Sequence, residues 1–135
     1  MPQGRSDEQW ERMMEAGRYI MIRTAKRGSL IPYGEFNKAL AEDAEVAPFD
    51  LSRDGERNAL GALLADIVKD DPDHKKYMLS SVVALATLDA PGKGFYSLAE
   101  HLEHLEAGAN ATRKHDVWVK QAELTHEHYR RTPRT

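Results

Sequence analysis

YMLSSVVALATLDAPGKGFYSLAEHLEHL, residues 77–105, decides how this chain is read. Met78 to Leu88 is apolar and β-branched, which predicts a central strand. Asp89-Ala90-Pro91-Gly92-Lys93-Gly94 predicts a turn, because Pro-Gly and Gly-x-Gly break both regular periods. Phe95, Leu98, Ala99, Leu102 and Leu105 then recur at helical spacing, and Gly108 is read as the end of that helix. A strand, a glycine loop and a helix therefore follow one another.

Upstream, Ser6 stands three residues before Gln9, with Asp7 and Glu8 between, so a capping box opens a helix from about Asp7 to Arg27. Its stripe of Trp10, Met13, Met14, Gly17, Ile20 and Met21 is a core face. Arg23, Lys26 and Arg27 sit in its last turn, ahead of Gly28. Ile31 is held extended by Pro32, and the lost N–H of Pro32 suits an edge strand. Glu35 to Glu42 reads as a short helix, and 43–51 as a loop that Phe49 and Leu51 can pin to the core. Ser52 or Asp54 is read as the cap of a third helix with the stripe Leu60, Leu63, Leu64, Ile67 and Val68. Its Gly61 and Ala65 are small enough for a close helix approach. Asp70-Asp71-Pro72-Asp73 ends it. A last helix runs from Asn110 or Thr112 to about Arg130, and its sparse apolar residues place it on the surface or against a partner chain.

The 135 residues make one domain's worth of core. There is no cysteine, which excludes disulfides, thiol nucleophiles and thiolate zinc sites. No apolar run has the length of a membrane span, and the N-terminus lacks a signal-peptide pattern, so a cytoplasmic location is expected. The net charge of −3 is unevenly spread. Residues 35–73 hold four basic against eleven acidic side chains, whereas 107–135 hold six against three. Basic ends flank an acidic middle, and phosphate attraction follows local charge.

Helix, short strand, helix, helix, strand, glycine turn is the element order of a winged helix. The expected fold is therefore α+β and mostly helical. A winged-helix-like domain with a small antiparallel sheet occupies residues 1–108, and an added C-terminal helix and basic tail occupy 109–135. The third helix would read DNA, and the turn at Gly92 to Gly94 would be the wing.

Two resemblances accompany this reading. Ile31-Pro32-Tyr33-Gly34-Glu35 and Arg57-Asn58-Ala59-Leu60-Gly61-Ala62-Leu63 resemble the helix-turn-helix entry and recognition helix of alkylguanine-DNA alkyltransferase-like winged-helix domains. That family's Pro-Cys-His-Arg active site has no counterpart here, so alkyl transfer is excluded. Leu79-Ser80-Ser81-Val82-Val83 and Pro91-Gly92-Lys93-Gly94-Phe95 are similar to a strand and a Pro-Gly-x-Gly-Phe signature in small uncharacterised bacterial proteins. The second likeness implies no activity.

The expected function is a non-enzymatic nucleic-acid-binding or regulatory module. The nucleic-acid set is Arg23, Lys26, Arg27, Arg53, Arg57, Asn58 and Lys93, since Arg and Asn read base edges and Lys meets phosphate. Gly92, Lys93 and Gly94 form a candidate anion loop at a helix N-terminus; the alternative is a turn in which a glycine takes positive φ and Phe95 plugs the core. The rival function is protein interaction, with a homodimer or partner docked on the acidic middle or the last helix. His101 with His104, and His126 with His128, supply two ligands each, too few for a metal centre. Ser80 and Ser81 lack a nucleophile elbow, and their hydroxyls are read as bonded to backbone. No catalytic residue, metal or cofactor is expected.

Overall fold

In the computed structural model, which describes residues 4–130, α1 (Asp7–Lys26), α2 (Tyr33–Ala44) and α3 (Asp54–Asp70) wrap one core. The capping box forms as expected: Ser6 Oγ accepts from the Gln9 amide at 3.1 Å, and Gln9 Oε1 accepts from the Ser6 amide at 3.0 Å. The close approach of helices lies at Gly17 of α1 rather than at Gly61. A Cβ on Gly17 would stand 2.9 Å from Ile67 Cδ1 and 3.2 Å from Phe36 Cζ, whereas one on Gly61 would meet nothing within 4 Å. Asn37 pins the loop after α2 by donating to the Phe49 carbonyl at 2.8 Å and accepting from the Phe49 amide at 2.9 Å. Phe49 is buried, as its place in the loop suggested. The cap of α3 differs from expectation. Arg53 is the N-cap residue, without a side-chain cap bond, and Asp54 lies in the first turn.

The sheet is parallel, not antiparallel. β1 (Ile31–Pro32) pairs with β2 (Val83–Ala84) in the register Ile31↔Val83 and Pro32↔Ala84. The long strand expected over Met78 to Leu88 is instead a 3-10 turn, Leu79–Val82, followed by the two residues of β2. Apolar content predicted burial correctly, since Tyr77 to Ala84 are all buried, but burial alone does not choose strand over turn. Nor do Gly92 to Gly94 form the tip of a hairpin. Gly92 is the N-cap of α4 (Lys93–His101), and Lys93 and Gly94 are in its first turn. That helix ends before Gly108; Leu102 is its C-cap and Glu103 has φ +66°.

α5 (Ala111–Arg130) is not a surface appendage. It buries Val117, Trp118, Ala122 and Tyr129, and with them two polar residues, Gln121 and Thr125. Those polar groups bond the backbone of the 3-10 turn. Gln121 Oε1 accepts from the Met78 amide at 2.8 Å, and Trp118 Nε1 donates to the Ser81 carbonyl at 2.9 Å. The Thr125 hydroxyl lies 3.1 Å from the Met78 carbonyl and 3.0 Å from Ser81 Oγ. Gln121 also reaches His104 Nδ1 at 3.4 Å, and His104 Nε2 meets the His74 carbonyl at 2.7 Å. Below them, Tyr77 donates to Asp71 at 3.0 Å and meets the Tyr129 hydroxyl at 2.7 Å. Burial pushes the phenols of Tyr77 and Tyr129 above their ordinary range.

Gln121→Leu keeps volume but orphans the buried Met78 amide. It is expected to cost about 1–3 kcal/mol in urea unfolding, while Glu123→Leu on the exposed face of α5 changes stability by under about 0.5 kcal/mol. Equal costs for the two would show that the Gln121 bond does not hold this segment.

Candidate ligand cleft

The 3-10 turn has two sides. Ser81 faces α5, and Ser80, next to it, lines a cleft of about 630 Å³ between α3 and α4. The α3 wall is Leu60, Gly61, Leu64 and Ala65, with Asp54, Arg57 and Asn58 at the N-terminal end of the helix. Phe95 and Leu98 of α4 form the facing wall, and Leu51 and Leu85 complete the apolar lining. Leu85 is 44% exposed.

The polar end is built from the glycine loop. Gly92 is needed for close approach, not for positive φ: its φ is −69°, and a Cβ on it would stand 2.9 Å from Tyr33 Oη. That contact is also a hydrogen bond, the Gly92 amide donating to Tyr33 Oη at 2.9 Å. Burial raises the Tyr33 phenol above its ordinary range, partly offset by the Gly92 bond, so Tyr33 stays neutral and accepts. Gly94 has open space where a Cβ would be and no positive φ. The expectation of a positive-φ turn is thus overturned, and the Phe95 plug stands, since that ring is buried.

The first amides of a helix have no carbonyl four residues back to bond. At α4 these belong to Lys93 and Gly94, both at the cleft, and Lys93 makes no ion pair among the described residues. Arg57 differs: it is ion-paired with Asp54 and donates to the Leu51 carbonyl at 2.8 Å. Two further carboxylates of α3, those of Glu56 and Asp66, also have partners. Glu56 accepts from Arg5 at 3.2 Å, which with the Asp50 amide holds it below the usual carboxylate range, and Asp66 accepts from Trp10 Nε1 at 2.9 Å.

Ser80 is the residue that sequence reasoning undervalued. It is 5% exposed, and its hydroxyl has no hydrogen-bond partner among the described residues. The signal was the Ser80-Ser81 pair itself, because adjacent side chains of a 3-10 turn, at about three residues per turn, point roughly 120° apart and do not share one face.

Of the expected site residues, the cleft gathers Arg57, Asn58, Gly92, Lys93 and Gly94. Arg53 is exposed at the N-cap of α3 and does not line it. Arg23, Lys26 and Arg27 are exposed at the end of α1, also outside it. The two residues that follow them pack on the end of α5: His126 Nε2 lies 2.8 Å from the Ser29 carbonyl, and an Arg130 nitrogen lies 3.2 Å from where a Gly28 Cβ would be. The basic tail after Arg130 lies outside the described residues. The described residues contain no group of three or more His, Asp or Glu placed to hold a metal. None of their helices is long and apolar enough to cross a membrane. No family model, curated protein or solved structure matches the chain.

The two serines make opposite predictions. Ser81→Ala loses a buried bond to Thr125 and is expected to lower the unfolding free energy by about 1 kcal/mol. Ser80→Ala removes a hydroxyl with no partner and is expected to leave that energy unchanged or raise it. A comparable loss for both, read from denaturant midpoints, would mean that Ser80 has a structural bond after all.

Proposed function

We propose that the protein is a non-enzymatic binding module whose α3–α4 cleft takes up a small anionic molecule. The observation that carries this reading is Ser80, a residue only 5% exposed whose hydroxyl has no protein hydrogen-bond partner among the described residues, lining the same cleft as Lys93 and Gly94 of the first turn of α4. Helix N-termini attract anions through unpaired N–H groups and the helix dipole, and Lys93 adds a full charge. Binding is favoured over nucleophilic catalysis because no general base is hydrogen-bonded to Ser80 among the described residues. The volume falls within the range of small-molecule sites, roughly 300–1,000 Å³.

The test uses 8-anilinonaphthalene-1-sulfonate, an anion with an apolar body whose emission reports burial. Saturable one-to-one binding to the native protein is expected, weakened roughly tenfold by Lys93→Ala and several-fold by Ser80→Ala. Binding that neither change alters would remove the cleft from consideration.

A second reading, with nucleic acid as the partner, is favoured by the exposed basic residues Arg23 and Lys26 in the last turn of α1 and Arg27 at its C-cap. On this reading labelled duplex DNA raises its fluorescence anisotropy at low salt, the affinity falls steeply with added salt, and Arg23→Ala with Lys26→Ala reduces it. Salt-independent binding, or none, removes it.

A further inference from the structure

We infer that the ligand of the α3–α4 cleft is an amphipathic monocarboxylate: one carboxylate on an apolar body. The inference rests on the cleft being a ligand site and assigns the class of molecule that fits it.

Charge sets the head group. Two cationic side chains line the cleft, and Arg57 is already neutralised by Asp54. That leaves one uncompensated charge, on Lys93. A monoanion balances it. A phosphate monoester, with a charge of roughly −1.5 to −2 near neutral pH, would exceed the single positive charge that remains once Asp54 is counted against Arg57. An ammonium group would meet Lys93 and the positive end of α4.

A carboxylate has two oxygens with about four acceptor sites between them. Lys93 and Gly94 of the first turn of α4 and the Ser80 hydroxyl line the cleft, with the Arg57 guanidinium and the Asn58 side-chain amide as further donors at its α3 end. Tyr33 contributes none of these, because its oxygen accepts from Gly92; it braces the loop instead.

The walls set the body. Leu60 and Leu64 face Phe95 and Leu98 across the cleft, so only apolar matter is matched there. Leu85, 44% exposed, also lines it and gives an apolar chain a surface to cover. A small hydrophilic acid such as acetate would leave those walls wet.

The experiment is competition by four decyl compounds against 8-anilinonaphthalene-1-sulfonate on the intact chain, with amide shifts followed by NMR. Decanoate is expected to displace the dye, at least roughly tenfold better than 1-decanol or decylamine, and better than decyl phosphate. Its largest shifts are expected at Lys93, Gly94 and Ser80. In Lys93→Ala the advantage of decanoate over 1-decanol is expected to collapse. Decyl phosphate winning, or 1-decanol equalling decanoate, overturns the carboxylate assignment while the cleft remains a binding site. Shifts from every compound falling outside the cleft overturn both the class and the site.

Discussion

Three side chains of α5 hold the backbone of residues 78–81, and the candidate site depends on that grip. A 3-10 turn buried in a core has few ladder partners, so its amides and carbonyls need bonds from elsewhere. Trp118, Gln121 and Thr125 sit on one face of α5 and supply them at 2.8–3.1 Å. Each buried backbone group left without a partner would cost about 1–3 kcal/mol. The grip has a directional effect. With Ser81 turned toward Thr125, Ser80 is left to line the cleft.

A second constraint acts from the other side. Tyr33 follows the bridge between β1 and β2, and its hydroxyl accepts from the Gly92 amide. The parallel bridge and this single bond tie the start of α2 to the start of α4. Gly92 is small because Tyr33 is close, and the bond spends the Gly92 amide, leaving those of Lys93 and Gly94. The cleft is thus assembled from distant pieces of chain: Leu51 from a loop pinned by Asn37, the face of α3, Ser80, and the first turn of α4.

Much of this was legible in the sequence. The capping box of α1, the stripe of α3 and the span of α5 follow from local spacing and capping chemistry, and all three form. The glycine loop was read as a wing, with an anion site at a helix N-terminus or a positive-φ turn as its candidate roles; it opens a helix, without a hairpin and without positive φ. The remainder depended on tertiary context. Valine, leucine and serine in residues 78–84 are compatible with strand or buried turn, and only the side chains of α5 decide between them. Gln121 and Thr125 read as surface residues because polarity was taken for exposure. Their partners lie more than forty residues upstream, beyond any local pattern. The direction of strand pairing was likewise invisible, since two-residue strands carry no periodicity. Gly61 was assigned to a helix crossing and instead lines the cleft, while Gly17, placed in an ordinary core stripe, makes the crossing.

The order in which the chain is synthesised gives the grip of α5 a temporal meaning. Ser80 and the first turn of α4 leave the ribosome well before Gln121 and Thr125 do. At roughly 5–20 residues per second, the residues that separate Ser80 and the first turn of α4 from Gln121 take some seconds to appear. Through that interval the amide and carbonyl of Met78 have no α5 to bond, and water is their only partner. The cleft therefore matures last, when α5 docks, although its lining residues are made early. A nascent chain stalled before α5 would carry every cleft residue and no finished cleft.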